Sequence, residues 1–141
     1  MTYTKSRNVL LIVFVAFFVI SFFTLVVFNV RSDPSVIDNE DMVDLYAKVV
    51  SLYFIHLSII ITGFFGQEKL KKGRSLQNVF WAALSLSIVW NIMFFWRLVY
   101  YCAVATDDIP SIESYISKVT MPTSFLVTGA LAYFFTVKGS E

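Results

Sequence analysis

Residues 9–30 read VLLIVFVAFFVISFFTLVVFNV: no charge, and six Phe. A helix of that length covers about 33 Å, enough for a bilayer hydrocarbon core of about 30 Å. Three further apolar runs follow at residues 45–65, 79–101 and 119–137. The pattern predicts an all-α polytopic integral membrane protein, a single membrane domain over residues 1–141 folded as an antiparallel four-helix transmembrane bundle. The connections are expected at 31–44, 66–78 and 102–118.

Composition agrees. Of 141 residues, 57% are hydrophobic and 15% charged, whereas soluble domains average about 45–50% and about 25%. Lys5 and Arg7 before the first run resemble the start of a signal peptide. The run is longer than the apolar region of about 7–15 residues that signal peptides carry, and no small-x-small cleavage pattern precedes Arg31, so it is expected to stay as an uncleaved first span.

The connections carry their own signals. Asp33-Pro34-Ser35 reads as a turn. Asp38 is a candidate N-cap, and Glu40, Asp41 and Asp44 place negative charge at the start of the second helix. Lys48, four residues after Asp44, is placed for an i,i+4 pair. Gly66 and Gly73 are available to end a helix, and Ser75 to cap the next. Residues 102–118 are acidic, with Asp107, Asp108 and Glu113 against Lys118. Pro110 suits a first helical turn. Ile109, Ile112, Ile116 and Val119 recur at helical spacing, a strip expected to lie flat on the headgroups. Pro122 is expected to open or kink the fourth span.

Orientation follows from cations in short loops. Lys5, Arg7, Lys69, Lys71, Lys72, Arg74 and Lys138 make seven on one side; Arg31 and Lys118 make two on the other, or four with the span-edge Lys48 and Arg97. Both termini and the 66–78 loop are therefore expected in the cytoplasm, with the chain in the cytoplasmic (inner) membrane.

Polar residues inside the runs are the candidate functional groups. Counted from the outer span ends at about 1.5 Å per residue, Ser21, His56, Asn91 and Thr128 each lie about 14–16 Å deep. An imidazole or carboxamide facing hydrocarbon is costly, so these four are expected to face inward and form one midplane layer, either as glue between helices or as part of an ion or proton path. His56 is the group that changes charge near neutrality. Asp44, Lys48 and Arg97 form a candidate outer charged rim, with Arg97 reaching Asp44. Ala83, Ser87 and Asn91 on the third span, and Thr120, Ser124, Thr128, Ala132 and Thr136 on the fourth, recur every four residues. Such ridges let helix backbones approach closely. Tyr3 and Trp81 suit the inner interface, Tyr46, Tyr100, Tyr101 and Tyr115 the outer one, and the fifteen Phe residues are expected to be lipid-facing bulk.

Several chemistries lack their residues. Cys102 is the only cysteine, which removes disulfide exchange. His56 has no second His or paired Cys for a metal or haem set. HExxH, GxSxG and a phosphate-binding Gly loop are absent. No carboxylate lies inside a run, which removes carboxylate-driven proton-coupled export. The basic loop has no aromatic, so nucleic acid is not an expected partner.

No catalytic, cofactor-binding or metal site is therefore expected. The leading expectation is a non-enzymatic protein acting laterally on another membrane protein, or on a second copy, through the ridges of spans three and four. Accessory, immunity or defence roles all suit this shape. The alternative is a homo-oligomeric ion channel or membrane-disrupting effector in which the midplane layer borders water and His56 gates.

Overall fold

The computed structural model describes residues 3–31, 39–65, 74–104 and 109–136. Among them there are helices and no strand: α1 Tyr3–Arg31, α2 Asn39–Phe65, α3 Arg74–Val104, α4 Ile109–Tyr115, a π-helical turn Ile116–Thr120, and α5 Met121–Thr136. The Asp33-Pro34-Ser35 turn, the Asp38 cap, Gly66, Gly73, the cations at 69–72, Asp107, Asp108 and Lys138 lie outside the described residues. Four helices are long and apolar enough to cross a membrane: Thr4–Arg31, Glu40–Gly63, Gln77–Ala103 and Ser111–Thr136. Glu40 and Asp41 occupy the first turn of α2, where the helix dipole favours them.

The last helix departs from expectation. α4, the π turn and α5 follow one another without a break, so the rod begins at Ile109 rather than near Val119. Ile109, Ile112 and Ile116 are buried in the core, not laid on headgroups. The i, i+3, i+7 spacing that marks an interfacial strip serves equally well as an inward face, and the bundle takes it. Pro122 opens α5 directly after the π turn. There the Met121 N–H reaches back to the Ile116 carbonyl, and Pro122 itself has no N–H to donate. Just beyond it the Thr123 hydroxyl turns back to the backbone, sharing its proton between the Val119 and Thr120 carbonyls at 2.7 and 3.0 Å.

Side-chain contacts define neighbours and directions. Phe14 meets His56 and Phe18 meets Tyr53, so α1 and α2 run antiparallel. Phe80 meets Phe134, and Trp90 reaches Thr120, so α3 and α5 are antiparallel too. Phe17–Phe95 and Phe28–Tyr101 rise together, which makes α1 and α3 parallel neighbours. Lys48–Glu113 and His56–Ser124 do the same for α2 and the α4–α5 rod. Around the bundle the order is therefore α1, α2, α5, α3, with the successive helices α2 and α3 across a diagonal.

The core is aromatic. Phe14, Phe28, Phe80, Phe94 and Phe134 are buried, which corrects the expectation that Phe is lipid-facing bulk. Tyr101 is likewise buried, against Phe28. Each helix is apolar around much of its circumference, so burial sorts these rings by geometry, not by composition. Phe23 and Trp96 show the other outcome, at 66% and 72% exposed.

Candidate functional site

The inward face of α2 carries Leu45, Val49, Leu52, Tyr53, His56 and Ile60, all fully buried. Their spacing of three and four residues is one helical stripe. His56 lies in its middle. Its ring stacks on Phe14 (centroids 5.1 Å, 18° between planes) and packs against Trp90 at 4.8 Å. Nδ1 is 2.9 Å from the Leu52 carbonyl oxygen, and Nε2 is 3.3 Å from that of Ser124. A neutral imidazole has one N–H to donate, and the nearer acceptor is Leu52, one turn back in the same helix. Trp90 Nε1 donates to the Thr120 carbonyl at 3.2 Å. His56 thus joins α2 to the three other long helices, in a box of rings.

The other three proposed layer residues also turn inward, but not into one connected layer. Ser21 is fully buried and shares a hydrogen bond with the Tyr53 hydroxyl at 3.2 Å. Phe14, seven residues away in α1, is what lies level with His56, so Ser21 sits about 10 Å nearer the Arg31 end of the helix. Asn91 is fully buried beside Trp90, and its Nδ2 donates to Ser87 in its own helix at 2.7 Å. Thr128 lies one turn nearer the Thr136 end of α5 than Ser124 and is half-buried. Asn91 Oδ1 and Thr128 Oγ1 are enclosed with no hydrogen-bond partner among the described residues. Depth counted from loop ends misplaces Ser21 because α1 is displaced along its axis relative to α2.

The charged rim differs from expectation. Lys48 Nζ pairs with Glu113 Oε1 at 2.7 Å. Arg97 lies over two rings, 5.5 Å from the Tyr100 centroid and 5.3 Å from that of Tyr115. Asp44 is exposed and among the described residues forms no ion pair. The reason is topological: α2 and α3 face each other across the diagonal, while α4 runs beside α2 and brings Glu113 to Lys48. Both partners are partly exposed, so Glu113→Gln is expected to cost less than about 1 kcal/mol. Thermal unfolding of Lys48→Glu, Glu113→Lys and the double exchange should show the two single reversals destabilised and the exchange restored.

The small-residue ridges are used inside the chain. Ala83, Ser87, Thr120 and Ser124 are buried, and Thr128 and Ala132 half-buried. Ser87 and Ser124 return their hydroxyls to backbone carbonyls of their own helices, Ala83 and Met121.

Sequence reasoning missed Tyr53, Trp90, Phe14 and Glu113. Tyr53 and His56 belong to the one α2 stripe, which its spacing alone could have revealed. Trp90 and Phe14 sit in helices apolar nearly all round, where spacing carries little contrast. Among the described residues no three His, Cys, Asp or Glu side chains converge as a metal site would require, and no Ser hydroxyl is bonded to His56. Comparison with family models, curated proteins and solved structures finds no match.

Proposed function

We propose that the chain is a small integral protein of the cytoplasmic membrane, a four-span bundle with both termini and the 66–78 segment in the cytoplasm. It works without catalysis, by lateral binding to another membrane protein or to a second copy, in an accessory, immunity or defence role. The observation that supports this reading is where the large side chains go. Phe14, Tyr53, Trp90 and Phe94 fill the centre, while Trp96, Phe125 and Tyr133 stand 72%, 69% and 60% exposed. An apolar exterior of that extent needs lipid or protein against it. The binding surface would be these exposed faces of α3 and α5 rather than the ridges, which pack within the chain.

The channel alternative draws less support. His56 and Asn91 are fully buried inside one chain, out of reach of a pore formed between copies. The test is reconstitution of the full chain in proteoliposomes, with size measured in nanodiscs. The expected result is no pH-dependent ion flux, together with a discrete oligomer or a stoichiometric membrane partner. A flux that disappears in His56→Ala would overturn the proposal in favour of the channel. Topology is read by an impermeant thiol label on Lys71→Cys in a Cys102→Ser background, expected to react only after the membrane is opened.

A further inference from the structure

We infer that the groove between α3 and the α4–α5 rod seats one acyl chain of an anionic phospholipid, with Arg97 and Lys118 at its outer end facing the phosphate. This rests on the membrane embedding proposed above. The groove has a volume of about 140 Å³, with walls of Leu86, Val89 and Met93 on one side and Val119, Thr123 and Leu126 on the other. Trp90 lines its floor. Of the polar atoms nearby, the Thr123 hydroxyl and the Trp90 N–H are donated to backbone carbonyls, and the Thr120 hydroxyl oxygen, which has no partner among the described residues, is enclosed rather than presented to the groove. What remains is hydrocarbon, which holds a methylene chain and does not hold water. The groove is open along one side, so a flexible methylene chain can lie along it, whereas a helix about 10–12 Å across can present only a side chain to it.

Charge selects the headgroup. Arg97 lies one turn beyond Met93, and its guanidinium rests 5.3 Å from the ring centroid of Tyr115, which also lines the groove. Lys118 is exposed and directly precedes Val119. Among the described residues neither forms an ion pair, whereas Lys48, on the α2 side of the rod, is neutralised by Glu113. Arg97 and Lys118 thus put two positive charges beside the half of the groove that Tyr115 and Met93 line. Long basic side chains rise from such positions to the headgroup plane.

The test uses tryptophan quenching by brominated acyl chains in phosphatidylcholine vesicles. The unmodified chain, with Trp81 and Trp96 exposed, reports embedding through quenching by brominated phosphatidylcholine. The Trp81→Phe/Trp96→Phe chain leaves Trp90 as the sole reporter in the groove. At Trp90, brominated phosphatidylglycerol is expected to compete about fivefold or more better than brominated phosphatidylcholine. The preference should vanish in Arg97→Gln/Lys118→Gln and persist in Arg97→Lys. Val119→Phe, which fills the groove, should remove quenching by both lipids. Equal quenching by the two lipids, or a preference that survives loss of both cations, overturns the inference. So does Trp90 quenching that appears only when the protein is diluted in the bilayer, because a second copy then occupies the groove. If the unmodified chain is not quenched at all, it is the embedding that fails. If it is quenched and Trp90 shows no headgroup preference, the lipid seat alone fails.

Discussion

His56→Ala should lower the unfolding free energy by about 2–4 kcal/mol, in the range of large-to-small core substitutions, read as a fall in Tm by circular dichroism of the full chain in detergent or nanodiscs. The imidazole is fully buried, stacked on Phe14, packed on Trp90, and set between carbonyls of α2 and α5. Its removal opens a hole where four helices meet, and in a bilayer close packing carries much of helix association. His56→Leu refills the space but offers no N–H to the Leu52 carbonyl, so it should cost less, about 0.5–1.5 kcal/mol, the net worth of one intramolecular hydrogen bond. The ordering parent, Leu, Ala separates packing from a gating role. A gate would lose flux in both variants with little change in Tm. A His56→Ala chain that melts with the parent would show that the ring box contributes nothing to the fold.

The parts of this arrangement that could be read in advance are those where a wrong placement is expensive. A 22-residue uncharged run can hardly be anything but a long buried or lipid-facing helix, and an Asn or His within such a run must turn toward other protein. Hence the helix count, and the inward facing of Ser21, His56 and Asn91, were visible in the residues. Neighbour choice was not. α1 and α3 are apolar on nearly every face, so nothing in their composition says that Phe14 faces in while Phe23 faces out. Asp44 and Arg97 look like partners when successive helices are assumed adjacent, and they part because α2 and α3 lie on a diagonal. Ile109, Ile112 and Ile116 illustrate the same ambiguity, since one apolar stripe fits a headgroup layer or a core.

The second large effect is expected at Gly63, and with a sign opposite to helix propensity. On propensity alone, Gly→Ala within a helix gains about 1 kcal/mol. At Gly63, however, a Cβ would fall on the ring of Phe135, overlapping it from Cγ to Cε1, so the whole ring has to move. α2 and α5 therefore approach at this point because the side chain is missing. Overpacking of this kind costs about 1–3 kcal/mol. Gly63→Ala should be destabilising despite its propensity gain, and Gly63→Leu should be worse. Gly129 in α5 is the internal control: nothing lies within 4 Å of where its Cβ would stand, so Gly129→Ala should be neutral or stabilising by up to about 1 kcal/mol. Phe135→Ala should be destabilising alone and should cancel the Gly63→Ala penalty when the two are combined, giving a favourable coupling in the double-mutant cycle. Additive effects of Gly63→Ala and Phe135→Ala would mean that the two residues do not meet. The parallel packing of α2 against α5, and with it the placing of Ser124 beside His56, would then need another register.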